Sequence, residues 1–368
     1  MRRRLLALLL AVLAALPAQA QDRDVGATPS AQAAYESLFS AATLGPASRG
    51  PSAVLGWTQG YRGTVPNAAF AIAVAPNGGS IWRFVSGQPT PEAARDAALA
   101  GCREAQGRSL PGVECRILAL NGAVDGHPVL QPAEARVGPL RASPLHEYHG
   151  PHAAAGVIVY SHGYGGPAAD NRGNPTPAWL SAFNDLGWDV FRFDRAPGGD
   201  DLFRAVAALK EAVPQLHAMG YRQVVLAGQS RGGWQSLLAG AELPAEAVSA
   251  VIATAPAAHG TTDATHAGAR EDWERLLAEL PRGRLRVAVG LFDRDPFDPD
   301  PDWRAERLAE IGQERGAPTL ALRPSRGRIE GHGGAGNLAF TGLYTGCFLA
   351  LVLSPQPPEG LRQDPCPR

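Results

Sequence analysis

The chain has 368 residues, 45% of them hydrophobic and 19% charged, which is too apolar for a disordered polymer and long enough for one large domain or a medium domain with a small companion. A formal net charge of −1 leaves no basic footprint for a nucleic-acid partner. The composition likewise excludes a collagen, a coiled coil and a polytopic membrane protein.

The first twenty residues read as a secretory signal peptide. Arg2, Arg3 and Arg4 form a basic start, and Leu5 to Leu16 is apolar but shorter than the roughly 18–20 residues that span a bilayer. Ala18-Gln19-Ala20 supplies the small residues for a cut before Gln21. An exported chain, periplasmic or secreted, meets an oxidising compartment. There the four cysteines, Cys102, Cys115, Cys347 and Cys366, predict two disulfides. Three connectivities are open, of which the sequence-near pairs Cys102–Cys115 and Cys347–Cys366 are the simplest. The CxxC spacing usual for zinc is absent.

Residues 21–56, rich in Ala, Ser, Pro and Gly, are expected to be a leader of low order with a short helical stretch around Gln32–Ala42. A small disulfide-stapled α+β unit follows over residues 57–125. Ala69–Val74 and Ser80–Val85 read as strands around a Pro76-Asn77-Gly78-Gly79 turn, Pro91–Ala105 as a helix and Cys115–Leu120 as a further strand. A Cys102–Cys115 bond would staple a core too thin to hold itself. The A-I-A strand, glycine turn, Ala-x-x-x-Cys helix end and second Cys before a strand resemble the small exported domain of unknown function found in bacterial envelope proteins. That resemblance implies a fold and no chemistry, and it leaves room for an envelope partner.

Residues 126–138 are expected to be a linker, within a Pro- and His-containing connector that runs to Pro151. Beyond it the chain alternates. Gly156–Ser161, Trp188–Asp194, Gln223–Gly228, Ala250–Thr254, Leu285–Phe292 and Thr319–Arg323 are short apolar runs of the kind buried on both faces of a parallel sheet. Pro177–Leu186, Leu202–Met219, Gly232–Ala241, Arg270–Leu280 and Trp303–Arg315 have helical spacing between them. The pattern predicts an α/β domain over residues 139–368 with a doubly wound, mostly parallel sheet.

Gly228-Gln229-Ser230-Arg231-Gly232 stands where one of these strands meets a helix, the setting of a nucleophile elbow. At this point the chain resembles the α/β-hydrolase family, across roughly residues 139–353. The resemblance implies a nucleophile, acid and histidine in that chain order. Ser230 is then the nucleophile and His332, in the glycine-flanked Glu330-Gly331-His332-Gly333-Gly334, the general base. The acid falls within Asp293-Arg294-Asp295-Pro296-Phe297-Asp298-Pro299. Asp295 fits the family's register, with a proline four residues on; Asp293, nearer the strand end, and Asp298 stay open. Ser161-His162-Gly163-Tyr164-Gly165-Gly166 resembles the family's His-Gly loop, which implies backbone N–H donors to an oxyanion from Tyr164 and from Arg231. His162 precedes Ser230 and is expected to shape that loop.

Other clusters carry less. His146-Glu147-Tyr148-His149 is one residue short of the metal-binding HExxH spacing, and no Walker or dinucleotide fingerprint follows a strand, so neither metal nor cofactor is expected. Ala255–Arg284, containing Asp263 and His266, is too short for a large lid and is expected to contribute to the substrate pocket. The sequence thus points to an exported serine hydrolase acting on a small-molecule ester. Peptidase or amidase activity on the same triad, or a catalytically inactive hydrolase-fold binding protein, are its alternatives.

Overall fold

A computed structural model describes residues 61, 67–75, 80–109, 112–121, 123–124, 127–128, 135–143, 146, 148–166, 170–173, 176–195, 200–324 and 329–366. The expected signal peptide, the low-order leader and the Pro76–Gly79 turn lie outside the described residues.

Alternation of small and large residues builds the first sheet. Strands β1 (Ala69–Val74) and β2 (Ser80–Val85) precede helix α1 (Pro91–Ser109), and β3 (Arg116–Leu120), β4 (Ala123–Val124) and β5 (His127–Pro128) follow it. They form a sheet in the order β2-β1-β3-β4-β5 with every pair antiparallel. On one face Ala69, Ala71 and Ala73 pack against Ala94, Ala98 and Cys102 of α1. Side chains this small let helix and sheet approach closely, and the Cys102–Cys115 disulfide ties the helix to the start of β3.

The second sheet takes in β6 (Arg136–Val137), β7 (Leu140–Ala142) and β8 (Gly156–Ser161), then α2 (Leu180–Asp185), β9 (Trp188–Phe193), α3 (Leu202–Met219), β10 (Val224–Gln229) and α4 (Arg231–Glu242). It continues with β11 (Ala250–Thr254), α5 (Asp263–Glu279), β12 (Arg286–Gly290), α6 (Pro301–Arg315), β13 (Thr319–Leu322), α7 (Leu338–Leu353) and β14 (Gly360–Arg362). The nine strands run β14-β13-β12-β11-β10-β8-β9-β7-β6, parallel from β14 through β9, with β7 and β6 antiparallel at the edge. Alternate residues of each central strand face opposite layers, as the pleat requires. Val157, Val159, Leu226, Val251 and Val289 pack under α3, α4, α5 and α6, whereas Ile158, Val190, Val225, Ile252 and Leu320 pack under α2 and α7. Among the described residues no helix is long and apolar enough to cross a membrane. The apolar α7 instead covers one face of the sheet, and the Cys347–Cys366 disulfide fastens it to the tail beyond β14.

Two expectations change. The stretch 126–138, read as a linker, supplies β5 to the first sheet and β6 to the second, so the edge hairpin β6–β7 belongs to the large sheet. Strands of two or three residues are too short to show a period in sequence. Helix α5 begins at Asp263, well before Arg270, because a reciprocal Thr262–Thr265 capping box starts it. Its first turns have no apolar stripe to betray them.

Candidate active site

Strand order dictates where a site can form. The chain leaves β8 for β9 on one side and returns past it to β10, so the crevice at the carboxyl ends of β8 and β10 is a topological switch point. Ser230 stands there, between β10 and α4, with φ 57° and ψ −126°. A side chain held at positive φ costs about 1–3 kcal/mol, which its surroundings must offset. The Ser230 amide donates to the Thr254 carbonyl at the end of β11 (3.0 Å), and the Ser230 carbonyl accepts from Ala257 (3.1 Å) and Trp234 (3.0 Å). The turn closes only without side chains at its flanks. A Cβ on Gly228 would overlap the Gly232 carbonyl, and one on Gly232 would overlap that of Ser161 on β8.

Three side chains form one hydrogen-bonded line. His332 Nε2 lies 2.7 Å from Ser230 Oγ, and His332 Nδ1 lies 2.9 Å from both oxygens of Asp295. A carboxylate can only accept, so Nδ1 carries the proton and Nε2 presents its lone pair to the serine hydroxyl. Asp295 and Ser230 are buried, while the His332 side chain keeps a 21% opening to solvent. The Phe297 amide donates to Asp295 Oδ1 at 2.9 Å and the Phe297 ring packs against the imidazole at a tilt of 43°, centroids 4.3 Å apart, fixing both partners. Gln229, beside Ser230, donates from Nε2 to the His332 carbonyl at 3.0 Å.

The three candidate acids separate by their partners. Arg294 adopts φ 56°, which reverses the chain just past the end of β12 and turns Asp295 toward His332. Asp293 points out instead; its carboxylate is 59% exposed and pairs with Arg323 at 2.6 Å, while its carbonyl accepts from Gly331. Asp298 is buried in an ion pair with Arg304 (3.0 Å), and burial raises its pKa against the opposing pull of that guanidinium.

Both segments expected to donate to an oxyanion lie against Ser230. Arg231 is the first residue of α4, where an amide N–H has no partner within the helix. Across from it a Cβ at Gly163 would come within 3.1 Å of Ser230 Cβ and 2.6 Å of Gln229 Oε1, so the His-Gly loop touches the elbow directly. The Gly163 carbonyl accepts from His162 Nδ1 (2.7 Å), Asn171 Nδ2 (2.9 Å) and Arg195 Nη2 (3.4 Å). In a trans peptide the C=O and the following N–H point oppositely, so pinning this oxygen fixes the direction of the Tyr164 N–H. His162 Nε2 accepts from the Arg195 amide at 3.2 Å. Burial first, and the Arg195 charge second, push the His162 pKa down to about 4 and keep its ring neutral. The Arg231 guanidinium lies 4.0 Å over the Tyr164 ring and donates to the Asp200 carbonyl at 3.0 Å.

Sequence reasoning did not reach Gln229, Asn171, Arg195 or Phe297. Gln229 occupies a variable place in the G-x-S-x-G motif, and Asn171 and Arg195 carry no motif at all. Among the described residues no three or more His, Cys, Asp or Glu side chains converge as a metal site. His146 bonds to Ser143 Oγ at 2.6 Å, and the His149 amide to Asp189 at 2.7 Å.

No protein-family model matches the chain, and no curated protein matches it. Among solved structures it is similar to a puromycin-hydrolyzing peptidase of Mycobacterium tuberculosis, at 16% identity over 64% of this chain and 42% of that one, with a TM-score of 0.42. Brefeldin A esterase, a bacterial homologue of human hormone sensitive lipase, is similar at 21% identity over 50% of this chain and 62% of its own, TM-score 0.37. The acylaminoacyl peptidase of Pyrococcus horikoshii is similar at 14% identity over 56% and 38%, TM-score 0.38. This chain spans less than half the length of the mycobacterial peptidase. With every one of these scores below one half, the strand order alone carries the fold: the large sheet and its helices form an α/β fold with a mostly parallel sheet.

Proposed function

We propose that this protein is an exported serine hydrolase that transfers the acyl group of a carboxylic ester to water. The observation that carries the reading is the unbroken line from Ser230 Oγ through His332 to Asp295 at the switch point of the sheet. His332 Nε2 takes the hydroxyl proton as Ser230 Oγ adds to the ester carbonyl, and Asp295 stabilises the imidazolium that forms. The Tyr164 and Arg231 amides receive the oxyanion, each worth about 10²–10³ in rate. As the tetrahedral adduct collapses, the C–O bond to the alcohol breaks and His332 returns the proton to that oxygen. A water, deprotonated by the same Nε2, then adds to the acyl-enzyme and releases the acid and free Ser230. The two disulfides and the signal-like leader support an oxidising, exported setting.

A fluorophosphonate probe tests the proposal by attaching to Ser230, read as a mass shift on its peptide that Ser230→Ala abolishes. Loss of the nucleophile should lower the turnover of p-nitrophenyl acetate by about 10⁶. An anilide with the same acyl group, measured alongside, reports any amide cleavage. A wild-type protein that neither labels nor turns over ester would leave a hydrolase-fold binding protein and refute the enzyme.

A further inference from the structure

Next to Phe297, whose ring packs tilted against the His332 imidazole, lies a cavity that the acyl-transfer steps leave unused. Phe297 lines this pocket of about 270 Å³, whose other walls include Ala267 and Ala269 of α5, Pro299 of the acid loop and Trp303 of α6. The charges around it are already paired. Asp298 is matched by Arg304 at 3.0 Å, and Arg270 lies 3.6 Å from Asp300 and 3.9 Å over the Trp303 ring. His266 Nε2 is 3.1 Å from the Pro296 carbonyl. A pocket with mainly apolar walls, whose charged side chains are ion-paired with each other, favours a neutral, largely apolar occupant.

We propose that this pocket is the subsite for the leaving alcohol and takes a compact apolar group such as an aryl ring; the inference rests on the serine hydrolase reading above. Strand order supplies the direction. The oxyanion segments follow β8 and β10, whereas the pocket is built from elements that follow β11 and β12, on the side of Ser230 from which Asp295 and His332 also arrive. The carbonyl oxygen therefore points toward β8. The leaving oxygen must reach His332 Nε2 to be protonated, so the group it carries extends along Phe297 into the pocket. Size narrows the class, since an apolar cavity of about 150 Å³ holds a benzene ring. The present volume of about 270 Å³ fits one or two rings.

Ala269→Phe fills the pocket and Trp303→Ala widens it, and neither residue belongs to the hydrogen-bonded line. Ethyl, phenyl and naphthyl acetates vary the alcohol, while p-nitrophenyl acetate and butyrate vary the acyl group. Ala269→Phe should lower kcat/KM for naphthyl acetate at least tenfold relative to ethyl acetate and leave the acetate-to-butyrate ratio within twofold. Trp303→Ala should blunt the preference for phenyl over ethyl. Calorimetry with naphthol reads the subsite without turnover: wild type should bind it, and Ala269→Phe should not. Failure of naphthol to bind, or variants that shift acyl preference instead, overturns the subsite. Absence of Ser230 labelling by a fluorophosphonate refutes the hydrolase reading and is a separate result.

Discussion

Replacing Asp295 by asparagine keeps the shape of the buried acid and changes where a proton sits. Oδ1 of Asp295 accepts from the Phe297 amide at 2.9 Å, so the asparagine carbonyl will occupy that place. Its NH₂ then takes the position of Oδ2, 2.9 Å from His332 Nδ1. That N–H competes with the retained carbonyl, also 2.9 Å from Nδ1, and wherever it points at Nδ1 it makes that nitrogen an acceptor, moves the imidazole proton to Nε2 and leaves Ser230 without a base. The imidazolium also loses its counter-charge, which at about 4 Å and an effective dielectric of about 20 is about 4 kcal/mol, or close to 10³ in rate. With the wrong tautomer the loss should approach about 10⁴ in kcat. Asp293→Asn removes only an exposed partner of Arg323, while the carbonyl that holds Gly331 stays, and should change kcat less than threefold. Stopped assays on p-nitrophenyl acetate across neutral pH separate the two. A larger loss in Asp293→Asn, or an Asp295→Asn enzyme within tenfold of wild type, would refute the reasoning.

Other outcomes follow from the same contacts. Asn171→Ala removes one of three donors on the Gly163 carbonyl and should cut kcat about tenfold, well short of losing a whole oxyanion donor, with KM within twofold. Asn171→Asp keeps the shape but not the donor and should fall as far; wild-type kcat in either variant refutes the lock. His162 refuses a proton in the folded state down to about pH 4, whereas the unfolded chain takes one up near its ordinary pKa of 6.5. Its stabilisation is therefore whole above about pH 6.5 and is lost as pH falls toward about 4, a difference on the order of 3 kcal/mol. Urea denaturation should show wild type losing more stability than His162→Gln over that range, and parallel pH slopes would contradict it. Gly232→Ala places a methyl into the Ser161 carbonyl, a backbone overlap that no rotamer relieves. It should cost about 3 kcal/mol or more and abolish turnover, and a variant as stable and active as wild type would sink that account.

The residues that converge in the candidate site were legible because each lies in a short motif in a loop or turn after a strand. Ser230 announces itself through glycines that the elbow cannot replace, and His332 through its glycine-flanked loop beyond β13. The central strands were legible for a related reason: burial on both faces writes an unbroken apolar run. The sequence favoured Asp295 only through the register that the resemblance implies; what sets it apart from Asp293 and Asp298 is the left-handed Arg294 and the pairings with Arg323 and Arg304, which join distant segments. The edge hairpin β6–β7 was beyond the sequence, its strands being shorter than any period. Asn171 and the pocket beside Phe297 exist only once α5, α6 and the loops after β8 and β12 are brought together. Local sequence can specify a turn or a strand, because those depend on neighbouring residues. Which carboxylate meets the imidazole, and which carbonyl is pinned, depends on contacts between residues far apart in the chain, and only the packed sheet sets those.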